Sequence, residues 1–164
     1  NLLFRGLPGP AFDEMSPRGG TATPLIATSR AAAFGDIDND GGIDILVANR
    51  DAAPYLLRNV VATRGHWAAF AVKTSRGRDA LGAAVTVAAA GRAWRRDVRS
   101  GYSYLAASDP RVQVGLGTAT TVDSVDVTWP GGQVERFGPF GVDAVVTLTQ
   151  GTGVARLPAA TAPR

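Results

Sequence analysis

The chain has 164 residues, a formal net charge of +3, 45% apolar residues, 20 glycines, 10 prolines and no cysteine. That length holds one domain or two small ones, and so many glycines and prolines favour short strands and turns over long helices. The composition excludes disulfides and thiolate chemistry, no apolar run approaches the roughly 20 residues of a membrane helix, and the arginines are interleaved with acids rather than gathered into the basic footprint that nucleic acid requires.

The first residues, Asn1-Leu2-Leu3-Phe4-Arg5-Gly6, are echoed by Pro54-Tyr55-Leu56-Leu57-Arg58-Asn59, an offset of 57 − 4 = 53 residues. A period near 50 residues is that of a β-propeller blade. The chain is therefore expected to begin inside a repeat, and its start has no basic stretch followed by a long apolar core, as a signal peptide would. Residues 6–30 hold Gly6-Leu7-Pro8-Gly9-Pro10 and Ser16-Pro17-Arg18-Gly19-Gly20. They read as irregular connection, with one short strand around Leu25-Ile26-Ala27. Residues 31–59 should give two or three antiparallel strands.

Between those strands lies Asp36-Ile37-Asp38-Asn39-Asp40-Gly41-Gly42-Ile43-Asp44, with carboxylates at positions 1, 3, 5 and 9 of one short segment. Such crowding is repulsive unless a cation sits among the oxygens, and calcium takes about six to eight oxygen ligands. Asp36, Asp38 and Asp40 can each offer one oxygen, Gly42 its carbonyl and Asp44 two oxygens, with water completing the shell. Gly41 permits the sharp turn between them. An EF-hand is ruled out, because Val47 stands where its bidentate Glu belongs. The exit segment Ile43–Ala48 is β-branched and too short for a helix, so the pattern predicts strand, calcium loop, strand. A flexible oxygen cage suits calcium better than magnesium. A metal-free Asp/Gly turn is the alternative.

From about Gly65 onward, six runs alternate with a period of two, carried by Phe70/Val72, Val85/Val87, Trp94/Val98, Val112/Val114/Leu116, Val125/Val127/Trp129 and Val142/Ala144/Val146/Leu148. Half-buried strands packed as a sandwich or small barrel give this pattern. Pro130-Gly131-Gly132 should be a turn, with Val134 and Phe137 on a short following strand. The expected fold is all-β: a partial propeller-type repeat over 1–62, an antiparallel sandwich-like domain over 63–153 and a disordered tail over 154–164.

Two stretches resemble known families. Residues 33–49, Ala33-Phe34-Gly35 through the acidic loop to Ala48-Asn49, resemble an FG-GAP/VCBS-type calcium repeat of integrin-like propellers. Arg78-Asp79-Ala80-Leu81-Gly82-Ala83, Val98-Arg99-Ser100-Gly101-Tyr102, Val114-Gly115-Leu116-Gly117 and Val125-Asp126-Val127-Thr128-Trp129-Pro130-Gly131-Gly132 together resemble an ASPIC/UnbV domain. Such domains follow those repeats in cartilage acidic protein and many bacterial secreted proteins. The resemblance spans roughly residues 31–150. It departs from the family pattern at Ser103–Ser108 and Val112-Gln113-Val114, where the family usually carries Ser-Gln and His-Phe. It implies an extracellular or periplasmic calcium-dependent β-protein with no established reaction, and further propeller blades upstream of Asn1. The UnbV name is tied to enediyne gene clusters, which leaves open an accessory, substrate-binding or enzymatic role in natural-product biosynthesis.

Three other features carry chemistry. His66 is the sole histidine, so an imidazole or thiolate metal site is not expected, and no nucleophile-elbow motif accompanies it. It reads as an edge or interface residue. Arg78 and Asp79, with Tyr102 and Tyr104, form a candidate ligand loop at one end of the sandwich, against a turn-capping role for Asp79. Arg92, Arg95, Arg96 and Arg99 flank Trp94 and read as a solvated face paired with Asp97, or as a patch for an anionic glycan or acidic partner. The function expected is a non-enzymatic calcium-binding module for adhesion or for protein or glycan contact.

Overall fold

In the computed structural model the described residues are 4–15, 21 and 23–157. They form thirteen strands and no helix: β1 (Phe4–Gly6), β2 (Phe12–Glu14), β3 (Ser29–Gly35), β4 (Asp44–Asn49), β5 (Tyr55–Leu57), β6 (His66–Lys73), β7 (Ala84–Ala89), β8 (Arg92–Asp97), β9 (Val112–Gly117), β10 (Ser124–Thr128), β11 (Val134–Phe137), β12 (Ala144–Thr149) and β13 (Val154–Arg156). The all-β expectation holds, and each of the six alternating runs falls on a strand apart from Val98, Trp129 and Val142, which lie just beyond strand ends.

A five-stranded sheet, ordered β13-β11-β10-β7-β8, faces a three-stranded sheet, β12-β6-β9. Alternation explains the packing. Val85, Val87 and Ala89 on β7, Val125 and Val127 on β10, and Val112, Val114 and Leu116 on β9 are all buried in one core with Phe70, Val72 and Leu148. Trp129 fills the core just past β10. Its Nε1 has no hydrogen-bond partner among the described residues, a cost of about 1–3 kcal/mol set against the large area its ring buries. Trp94 is only half-buried, with the Arg92 guanidinium 5.2 Å from its ring centroid. All pairings are antiparallel except that of β12 with β6, where Ala144 lies opposite Ala68 and Thr149 opposite Lys73 in parallel register.

Two expectations are corrected. Residues 154–164 are not a tail throughout, because Val154–Arg156 pair with Val134–Arg136 as β13. The turn before β13 is held by Glu135, whose carboxylate accepts the amides of Gly151 (2.9 Å) and Gly153 (3.1 Å). The rest of the expected tail, residues 158–164, lies outside the described residues. Secondly, Leu25-Ile26-Ala27 is not part of any strand. The strand of that region is instead Phe12–Glu14, paired with Phe4–Gly6 across Pro8-Gly9-Pro10. Ser16–Gly20, expected to be irregular, also lies outside the described residues.

The sheet β3-β4-β5 is antiparallel, as expected for the segment around the acidic loop. It docks onto the sandwich through that loop. β6 is buried on both faces from Trp67 to Phe70: Phe70 points into the core and Trp67 toward Gly41. Gly41 has φ 88°, and a Cβ there would lie 2.2 Å from the Trp67 ring, so only glycine allows both the turn and the contact.

Candidate functional site

The loop joining β3 to β4 is tied by its own carboxylates. Asp36 is buried and accepts the amides of Asp40 (3.1 Å) and Gly41 (2.9 Å). Asp44, also buried, accepts the amides of Ile37 (3.1 Å) and Asn59 (2.8 Å) with its two oxygens. Asp40 accepts the Gly42 amide at 2.8 Å. These bonds curl the segment so that Asp36, Asp38 and Asp40 can each bring one carboxylate oxygen within 4.8 Å of the others.

That trio suits a hard divalent cation in donor type and spacing. Three oxygens are half a calcium shell or less, so the remainder must come from other groups. Asp44 stands outside the converging trio, with each oxygen engaged by a backbone amide; a carboxylate has about four acceptor positions, so this does not exhaust it. Gly42 lies in the turn with its amide on Asp40.

Two arginines that the sequence did not flag supply the counter-charge. Arg58 pairs with Asp38. Arg64 grips Asp40 through two bonds, 2.5 and 2.8 Å long. The Arg64 hydrogen bond, aided by the Gly42 amide, holds the Asp40 carboxyl below its ordinary value, and the Arg64 guanidinium is held above its own. A cation entering the trio competes with these guanidinium groups.

The outer wall of the loop is built from the second sheet and its approach segment. Arg111 donates to the Asp36 carbonyl (2.7 Å) and the Asn39 side chain (2.6 Å), and Gln113 donates to the Gly41 carbonyl (2.9 Å). The edge of β3 is covered similarly. Phe34 donates its amide to Ser108 Oγ at 3.2 Å, while its carbonyl accepts the Asp109 amide at 2.8 Å. Gln113 thus seats the loop and Ser108 the strand that leads into it, and neither long-range contact leaves a local signal in the sequence.

The candidate ligand loop is not drawn together in this way. Asp79 pairs with Lys73 Nζ at 2.6 Å rather than capping turn amides, and Arg78 donates its amide to Thr74 Oγ1 at 3.3 Å. Tyr102 is exposed beneath the Arg99 guanidinium, 4.4 Å from its ring centroid. Tyr102 lines a depression of about 430 Å³ that none of Arg78, Asp79 or Tyr104 lines. His66 Nδ1 contacts Asp143 Oδ2 at 2.7 Å, and Asp143 Oδ1 accepts the Trp67 amide. Among the described residues no hydroxyl joins the ring's other nitrogen, so the pair clasps the start of β6 to the turn before β12.

No curated protein matches this chain. The family model described as "ASPIC and UnbV" matches residues 73–155, which run from the end of β6 into β13 and do not include the acidic loop. That match covers just over half of the sequence, 83 of 164 residues, and the chain belongs to the ASPIC and UnbV family.

Proposed function

We propose that this protein is a non-enzymatic calcium-binding β-module that works outside the cytoplasm, in the extracellular space or periplasm, in adhesion or in contact with a protein or glycan. The observation that carries the reading is the convergence of Asp36, Asp38 and Asp40 within 4.8 Å in a turn that joins two strands. Calcium there would neutralise the trio and fix the turn against the sandwich. The ion supplies no reaction, only charge and geometry. The FG-GAP/VCBS likeness of residues 33–49 supports the same reading.

A second feature supports further propeller-type repeats as neighbours of this one. Leu46 and Leu56 are cross-strand partners on β4 and β5, and both are about half exposed. Phe4 and Phe12 are exposed on an isolated two-stranded hairpin, which is marginal alone. A single repeat cannot bury its own apolar faces, and stacked repeats do so for one another.

Calorimetric melting of the chain across a calcium titration tests the metal reading. The melting temperature should climb with calcium and fall back with chelator, by about 2.7 kcal/mol of stability at a hundredfold excess over Kd. Asp36→Asn should abolish the climb, whereas Arg64→Gln, which removes a competitor, should move it to lower calcium. A flat titration for the parent and for Arg64→Gln would overturn the reading.

A further inference from the structure

The two sheets of the sandwich end on the same side with open edges. β8 is the last strand of the five-stranded sheet and β9 the last of the three-stranded one, so each has one hydrogen-bonding neighbour. Between them runs a groove of about 430 Å³, lined by Arg95, Arg96 and Asp97 of β8 and by Val112 and Gln113 of β9. Successive side chains of a strand point to opposite faces. Three consecutive residues can line one groove only when it follows the strand's edge, where unpaired backbone groups are presented.

The charge of this groove is unbalanced. Its ionic side chains are Arg95, Arg96, Arg99 and Arg111 against Asp97 and Asp109. Arg95 pairs with Asp97 at 3.1 Å and Arg111 with Asp109 at 2.5 Å. Arg96 and Arg99 remain with no carboxylate among the described residues. Arg96 donates to the Arg95 carbonyl of its own strand, and Arg99 lies over Tyr102. Phe34 and Ile43, both partly exposed, add apolar wall from the docked sheet.

We propose that this groove binds an extended acidic peptide, which adds a strand to the open edge of β8 and places carboxylates on Arg96 and Arg99. Open backbone edges give affinity to a peptide, and alternate side chains give it specificity. An anionic saccharide could satisfy the guanidinium groups but not a backbone ladder. The two unpaired arginines select against neutral strands and against a second copy of this basic edge. The site does not depend on an ion in the acidic loop.

Fluorescence anisotropy with the whole chain tests the proposal. The probes are a blocked peptide of Glu and Val, about eight residues long to span positions 92–99, with two Glu residues three apart so that carboxylates reach both faces of the added strand, its Gln-for-Glu counterpart, a counterpart N-methylated at alternate residues, and a sulfated oligosaccharide. The Glu peptide should bind about tenfold or more tightly than the Gln peptide, and Arg96→Glu and Arg99→Glu should each weaken it about tenfold, with melting curves confirming that the variants fold. N-methylation should remove binding, and hydrogen exchange should slow along 92–97 when the Glu peptide is present. Binding should persist with calcium or chelator, which separates this result from the metal reading. Equal binding of the Glu and Gln peptides, undiminished binding of the N-methylated peptide, or binding of the oligosaccharide alone would overturn it. If the charge reversals do not fold, Arg99→Gln provides the same comparison at smaller amplitude.

Discussion

Residues 66–157 and residues 4–62 are both made of short strands, yet different forces hold them. Every buried apolar side chain of the described residues except Val47 lies between Trp67 and Leu148. The sandwich is therefore a hydrophobic object. The β3-β4-β5 unit keeps its turn through carboxylate–amide bonds, guanidinium pairs and hydrogen bonds to its neighbour. Burial is insensitive to salt and mild acid; bonds to carboxylates depend on their ionisation. One chain thus joins a unit that folds on its own apolar surface to one that depends on charge and on docking.

The contrast breaks most severely if the sandwich is hollowed. Phe70→Ala removes a fully buried ring from the middle of β6 and should cost about 3–5 kcal/mol, measured by urea unfolding. Both units should lose exchange protection together, because the second docks on the first. Asp36→Ala orphans the amides of Asp40 and Gly41 and should cost about 1–3 kcal/mol. Here hydrogen exchange should rise across 36–44 while β6, β7 and β10 stay protected; loss of protection in those strands would erase the distinction. Gly41→Ala should undock the loop, detected as a shift in tryptophan emission from Trp67, with the sandwich melting transition retained.

Acid provides a gentler probe. Hydrogen bonds from Arg136 hold the Asp126 carboxyl below its ordinary value, and His66 does the same for Asp143. Groups whose folded values are depressed contribute their stability fully above the unfolded carboxylate value of about 3.9 and lose it as pH falls through the lower folded values. Stability should therefore be level from neutral pH down to that range and decline below it, with Asp126→Asn flattening the decline. The smallest effect belongs to Arg95→Ala, which breaks an exposed 3.1 Å pair and should change stability by less than about 0.5 kcal/mol.

Much of the sandwich was legible because alternation fixes which face of a strand is buried. Val85 and Val87, or Val125 and Val127, need only that rule. Alternation does not fix partners, so the parallel pairing of Ala144–Thr149 with β6 was invisible. Nor could β13 be read, since Val154-Ala155-Arg156 is exposed throughout and owes its place to Glu135 holding the preceding turn. At the acidic loop, spacing singled out Asp36, Asp38, Asp40, Gly42 and Asp44 together, whereas only the carboxylates of the first three converge. It could not place Asp44 on the Ile37 and Asn59 amides, nor Arg64 on Asp40. It also missed Arg111, which reaches the Asp36 carbonyl from 75 residues away. Such long-range partners leave no local pattern. The same limit hid the groove, because arginines that look scattered along the chain share an edge only after two sheets have stacked.

The parallel partnership of β12 with β6 has a consequence for synthesis. Ala68 waits for Ala144, 144 − 68 = 76 residues later, before its sheet has a third strand. Until that stretch leaves the ribosome, a strongly apolar strand offers an unfilled side to any nascent chain nearby. A stop codon or prolonged stall ahead of residue 144 should therefore yield an aggregation-prone product rather than a smaller soluble one, and maturation should be governed by this late closure.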